Sequence, residues 1–306
     1  MSLLNEAREK TEKIIDALHT PLAGKKKKAR TYRKEARKAY LKVAKKRRPL
    51  KNQIRKAIRK QLQYVNRNLK HIHDLSEHTS LHAINKKLYK DLLVISELYR
   101  QQKQMYDAKT HKVADRIVSI SQPHVRPIMR GKARAEVEFG AKISVSLVDG
   151  YAFLEKLSWD PYNEANDLVS HIEKYKCRFG YYPESVHVDQ IYRNRENIRY
   201  CKEHRINISG PPLGRPPKDQ ETIKNLMKEA KEGEVQRIPI EGKFGNGKRK
   251  FGMDRIMSKR KDTSETTIGI TILVMNMEKL LRDLLLSIFF KLQKFIFPDV
   301  YIKIAA

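Results

Sequence analysis

Apolar residues recur at helical spacing through the first 112 residues, and no stretch there alternates as a half-buried strand does. Ile54, Ile58, Leu62, Val65, Leu69, Ile72 and Leu75 step by three or four, which predicts one apolar stripe on a helix whose other faces are basic. The pattern changes after residue 115. Ile117 to Ile120 is a short β-like run, and Pro123, Pro127 and Gly131 mark a loop after it. Residues 142–148 alternate apolar and polar, Asp149 and Gly150 suit a two-residue turn, and residues 151–157 return, which predicts a hairpin. Residues 166–179 predict a helix with Leu168, Ile172 and Tyr175 on one side, stopped by Gly180. Residues 185–189 read as a short buried strand with Asp189 at its end. A helix over 193–204, a short strand over 206–209, a proline-stiffened connector over 210–218 and a charged helix over 219–234 follow. Leu280, Leu281, Leu284, Leu285, Ile288 and Leu292 then predict a core-facing terminal helix. These elements give a helical segment over 1–112 and an α/β portion over 113–306.

Charge changes the meaning of the helical segment. The chain carries 65 Lys and Arg against 35 Asp and Glu, a net charge of +30, so a polyanion is the expected partner and nucleic acid the first choice. Between Lys25 and Lys70 there are 21 basic residues and one acid, Glu35. So one-signed a run repels itself without a counter-ion partner, which points to the backbone of DNA. His71, His73, His78 and His82 read as solvent-facing residues of an amphipathic helix rather than as a metal cluster. Cys177 and Cys201 fit neither a zinc spacing nor a disulfide framework, and suit a reducing compartment. The first residues lack the uncharged apolar core of a secretory signal, and charges interrupt the apolar stretch 268–297 before it reaches membrane-spanning length. The expected location is the cytoplasm.

The chemistry concentrates at two places. Asp189 follows the predicted strand, and Arg237, Glu241 and Lys248 are separated by four and then seven residues, which places them on one face if that segment is helical. An acid flanked by two cations there, with a second acid at a strand end, is suited to holding a divalent ion beside a phosphodiester. Pro239, Gly242, Gly245 and Gly247 oppose a long helix, each interior Gly by about 1 kcal/mol, so the shared face requires a helix packed in place.

On these residues the chain resembles DDE-type transposases of bacterial insertion sequences, which have a ribonuclease H-like catalytic domain. Their glutamate signature is Tyr, two residues, Arg, three residues, Glu, six residues, Lys; Arg237, Glu241 and Lys248 fit it, and Glu234 stands where Tyr is usual. The similarity continues through Phe139 to Trp159, Arg178 to Arg195 and Ser209 to Lys218. The resemblance implies that Asp189 and Glu241 are two catalytic, metal-holding carboxylates, with Mg2+ or Mn2+ as the cofactor. Arg237 and Lys248 would then grip phosphates near the element's ends, and Lys243, Arg249 and Lys250 would add backbone contacts. Two such ions, about 3.5 to 4 Å apart, stabilise the attacking and leaving oxygens of an in-line displacement. In the family the first aspartate lies on the first strand, ahead of a helical insertion, and residues 3–10 look like the entrance to that insertion. The expectation is therefore an α/β fold: an incomplete ribonuclease H-like domain, missing its first strand and N-terminally truncated, with a large basic helical insertion. Asp149 is explained by its turn, which leaves Asp115 as the candidate substitute for the first aspartate.

The resemblance implies DNA cleavage and strand transfer at insertion-sequence ends, with this chain inactive alone. Its partners would be those ends, further copies of itself, or a fragment supplying the missing strand. The alternative is a non-catalytic DNA-binding remnant or regulator of an intact transposase. A ribonuclease H-like nuclease is a weaker third reading, because one fold hosts many chemistries.

Overall fold

The computed structural model describes residues 1–132, 135–210, 214 and 219–296. The chain divides into two compact units, Met1–Gly140 and Ala141–Ala306. The first is built on four helices: α1 (Ser2–His19), α2 (Arg33–Ala44), α3 (Lys51–Ser76) and α4 (Lys86–Asp107). Leu4, Ala7, Ile14, Ile15 and Leu18 of α1 return to one face and are fully buried. Ala7 meets Val65 of α3 and Ile95 and Leu98 of α4 in one cluster, and Ile14, Ile15 and Leu18 meet Ile72 and Leu75 of α3 in another. Each such Ile or Leu contributes about 1.5–3 kcal/mol. Several polar groups inside are paired: Arg8 Nη1 donates to Glu12 at 2.5 Å and Nη2 to Asn5 at 2.9 Å, while Asn68 Nδ2 donates to Thr11 Oγ1 at 2.9 Å. The α3 stripe thus faces the core as its spacing predicts.

Two expectations fail after α4. Ile117 and Ile120 do not form a strand; they are buried in the helical core. The Gln101 side chain takes the place of a ladder, accepting from Ile117 N at 2.9 Å and donating to the Asp115 carbonyl at 3.2 Å. Pro127 and Gly131, expected in a loop, lie in strand β1 (Arg126–Lys132), which pairs antiparallel with β2 (Ala135–Gly140). Proline is tolerated there because β1 has a partner on one side only among the described residues.

The second unit begins with the hairpin β3 (Lys142–Val148) and β4 (Tyr151–Ser158), in which Val148 opposes Tyr151. Asp149 and Gly150 at the turn have φ of 50° and 79°, the left-handed pair that a two-residue hairpin requires. Helix α5 (Leu168–Phe179) ends at Gly180, whose φ is 86°. Strand β5 (Ser185–Val186), helix α6 (Arg195–Glu203) and strand β6 (Asn207–Ile208) then make a parallel crossover. Leu168, Ile172, Cys201 and Ile206 form its core. The expected strand before Asp189 is therefore only two residues long and not buried, and Asp189 follows it by three positions.

The charged helix expected over 219–234 runs on as α7 (Gln220–Arg249), straight through Pro239 and four glycines. Helix α8 (Lys261–Ile296) packs Ile268 and Ile272 against Ala152 of the hairpin. Its core-facing residues are in this first half. Leu280, Leu281, Leu284, Leu285, Ile288 and Leu292, expected inward, are all exposed. The helix outruns the surface it packs on. Among the described residues no helix is long and apolar enough to cross a membrane. Most of the connector expected over 210–218 lies outside the described residues. The six strands form three separate two-stranded sheets, so among the described residues the larger sheet of a ribonuclease H-like fold is not assembled.

Candidate active site

Helix α7 reaches the carboxyl ends of β5 and β6 because of one glycine. A Cβ at Gly233 would stand 2.4 Å from Ser209 Cβ and 3.5 Å from His187 Nδ1, so only a bare backbone approaches this closely. Arg193 holds the far side of the contact, donating from Nη1 to the carbonyls of Ile208 and Ser209, each at 2.7 Å. One turn beyond Gly233, Arg237 lies beside Asp189. The charged character of the segment concealed this. A lone glycine within a helical charge pattern was the available signal.

Arg237 bridges the two expected carboxylates. Its Nη1 is 3.7 Å from Asp189 Oδ1 and its Nη2 is 3.4 Å from Glu241 Oε1. The Arg237 side chain is mostly sheltered, at 27% exposed, whereas the Asp189 and Glu241 side chains are 64% and 70% exposed. Both carboxylates therefore keep oxygens open to solvent. Asp189 also accepts from Gln190 N at 2.7 Å, which fixes the turn that presents it. Tyr192 completes that turn. Burial, with Glu164, Asp167 and Asp189 nearby, pushes its hydroxyl above its ordinary value, although a hydrogen bond with Ser144 opposes the shift.

At 100° per residue, Lys248 falls about 20° from Glu241 around α7, and Lys243 and Lys250 fall about opposite. Lys248 is exposed on the face of Arg237 and Glu241. Lys243 is half-buried toward α8, where burial and the charges of Arg282 and Lys279 lower its pKa. Lys250 pairs with Glu278 of α8. Arg249 is exposed and its Nε donates to the Gly245 carbonyl at 3.4 Å. Asp189, Arg237 and Glu241 are brought together, and Lys248 shares their helical face about 10 Å further along α7 from Glu241; Lys243 and Lys250 are turned away. Asp149 sits in its hairpin turn, and Asp115 belongs to the helical unit.

Two exposed carboxylates are hard oxygen donors of the kind magnesium takes, with water completing its shell. Among the described residues no third His, Cys, Asp or Glu joins them in a metal-holding group. The donor set fits partial ligation of a divalent ion.

Residues 186–278 match the family model of the transposase DDE domain, a stretch that contains Asp189, Arg237, Glu241 and Lys248. Over that stretch the chain is similar to DDE-type transposases. No curated protein and no solved structure matches the chain. The match starts at the second residue of β5 and ends in α8, so it takes in the rest of the crossover and the helix that carries Glu241.

Proposed function

We propose that this chain is the catalytic portion of a DNA transposase, in which Asp189 and Glu241 hold a divalent metal ion for phosphodiester cleavage and strand transfer at the ends of a mobile element. The observation that carries this reading is the single guanidinium, Arg237, that reaches both carboxylates from a helix seated on the β5–β6 ends. Asp189 and Glu241 would hold the magnesium, which when bound supplies positive charge against the oxygens of the reacting phosphate. Arg237 and Lys248 orient the DNA phosphates from the same helical face, Arg237 through a fork that suits two oxygens at once. Lys248 acts as a point charge about three turns along α7 from Arg237. The ribonuclease H-like fold is part of the proposal. Strands β3 and β5 each have a partner on one side only among the described residues, so each offers an edge to a further strand. A third carboxylate on such a strand would complete the family's ligand set.

Manganese binding followed by electron paramagnetic resonance, together with cleavage of a duplex carrying the element's end, tests the reading. Asp189→Asn and Glu241→Gln should each weaken manganese binding and abolish cleavage, measured with and without a fragment that supplies the first strand. Manganese affinity unchanged in both variants would sink it. A second reading, a DNA-binding regulator without catalysis, is favoured by the absence of a third clustered carboxylate among the described residues. DNA binding that survives both substitutions, with no cleavage under any condition, would select it.

A further inference from the structure

We infer that helix α2 is a docking surface for the backbone of duplex DNA, separate from the Asp189–Glu241 site. Lys34, Arg37, Lys38, Lys42 and Lys45 form one stripe along it, all exposed, with only Leu41 among them half-buried. Among the described residues none of the five forms an ion pair with an acid of this chain. The contrast with Arg33 is direct: Arg33 Nη2 meets Asp16 Oδ1 at 2.6 Å, which fastens the start of α2 to α1. Ala36 is fully buried on the opposite face, where Gln61 Nε2 donates to its carbonyl at 3.3 Å. Ahead of the helix, Tyr32 has a φ of 54° and its ring lies 4.6 Å from both the Arg30 and the Arg67 guanidinium. The helix is pinned from behind and its cations face out.

Within the stripe the pairs Lys34–Lys38, Lys38–Lys42, Lys34–Arg37 and Lys42–Lys45 lie three or four residues apart, and each like-charged pair destabilises an isolated helix by a few tenths of a kcal/mol. Glu35 at its margin is the one acid between Lys25 and Lys70. The compensating charge must come from outside. From Lys34 to Lys45 the helix rises about 17 Å, a length over which duplex DNA presents about ten phosphate charges. An anionic membrane fits less well. An interfacial helix sinks an apolar face into the lipid, whereas the apolar side of α2 packs on α1 and α3. The choice of DNA over RNA rests on the transposase reading.

The test uses the full chain and a fluorescent duplex of arbitrary sequence, with binding measured by anisotropy across salt concentrations of about 50–200 mM. Replacing Lys34, Arg37, Lys38, Lys42 and Lys45 by Gln should flatten the slope of log affinity against log salt by about 4 to 5, since each phosphate contact contributes about 0.9. Restoring charge with Arg at the same five positions should restore the slope. Neutralising Lys86, Lys87 and Lys90 of α4, also exposed, should cost less slope per charge removed. Circular dichroism of each variant guards against unfolding. An unchanged slope in the five-fold variant, or an equal loss per charge at α4, overturns the proposal. Stripe-dependent binding to phosphatidylserine vesicles or single-stranded RNA, with duplex binding unaffected, also overturns it. These outcomes are independent of the catalytic reading: loss of slope with cleavage still dependent on Asp189 concerns α2 alone, and loss of Asp189 dependence with the slope intact concerns the site alone.

Discussion

Substituting Gly233 by Ala sets two opposed effects of known size against each other. Alanine in a helix interior is favoured over glycine by about 1 kcal/mol. The new Cβ, however, would lie 2.4 Å from Ser209 Cβ and 3.0 Å from Ser209 Oγ. Carbon atoms settle about 3.5–4.0 Å apart, so α7 must move off the β5–β6 ends by more than about 1 Å. Overpacking of this kind costs about 1–3 kcal/mol. The net effect on stability is a loss of about 0–2 kcal/mol, and the larger effect falls on the site. Arg237 lies one turn along the same rigid helix, so its 3.7 Å approach to Asp189 opens with the displacement and Glu241 moves away from Asp189 as well. Gly242 is the control, because a Cβ there meets nothing within 4 Å. Gly242→Ala should therefore stabilise by about 1 kcal/mol. Urea denaturation of the full chain and manganese affinity read the two variants side by side. Gly233→Ala should bind manganese at least several-fold more weakly than Gly242→Ala. If both variants are equally stabilised and bind manganese as the parent does, the seating of α7 through Gly233 is wrong.

Two further outcomes follow from other parts of the second unit. The Asn276 side chain accepts from Ala152 N at 2.8 Å and donates to the Ala152 carbonyl at 2.7 Å, closing the outer edge of β4 against α8. Asn276→Leu leaves both backbone groups unpaired and should cost about 2–4 kcal/mol, seen as a lowered denaturation midpoint with an unchanged slope. His171 has a pKa below its ordinary value, chiefly because it is buried, with Glu155 and Asp167 opposing the shift. The unfolded chain then binds a proton near pH 6.5 that the folded chain refuses, so stability falls as pH drops through about 6.5 and continues to fall toward the lowered value. His171→Gln should flatten that part of the stability profile, as measured by thermal melting between pH 7 and pH 5; an unchanged profile would refute the assignment.

Elements set by local chemistry could be read from the sequence. The β3–β4 hairpin follows from Asp149 and Gly150, which no other turn type suits as well, and α5 ends where Gly180 takes a left-handed φ. The α3 stripe is legible because its period is sustained over many residues. What failed depended on long-range partners. Ile117 to Ile120 have strand-like side chains, but Gln101 from α4 takes up their backbone groups first. The Leu280 to Leu292 stripe has the right period for a core helix, yet the periodicity says nothing of whether a surface extends that far to meet it. For α7 the penalties of Pro239 and the glycines are real, and the buried contacts of Gly233 and Gly247 that offset them lie far apart in sequence. The spacing of Arg237, Glu241 and Lys248 therefore carried the right face, while the reason for a continuous helix was hidden.

The charge at the site argues for a coupling between metal and DNA. Asp189 and Glu241 carry two negative charges, and Arg237, within 3.7 Å of both, returns one positive charge. The net of one negative charge is small against a divalent ion, and both carboxylates are well exposed to water, which weakens the attraction further. On the proposed function, affinity for the ion would then rest partly on the phosphate oxygens of bound DNA, which would add ligands and also draw the Arg237 guanidinium toward themselves. By linkage, a duplex that raises manganese affinity by some factor is itself bound more tightly by the same factor when manganese is present. Arg237→Gln separates the two parts. Without DNA it should bind manganese more tightly than the parent, because the carboxylates no longer face an internal cation; with DNA it should gain less, because the group that passes from carboxylate to phosphate is gone. Calorimetric titration of manganese into each protein, with and without duplex, measures both quantities, and equal duplex-induced gains in the two proteins would show that Arg237 has no part in the coupling.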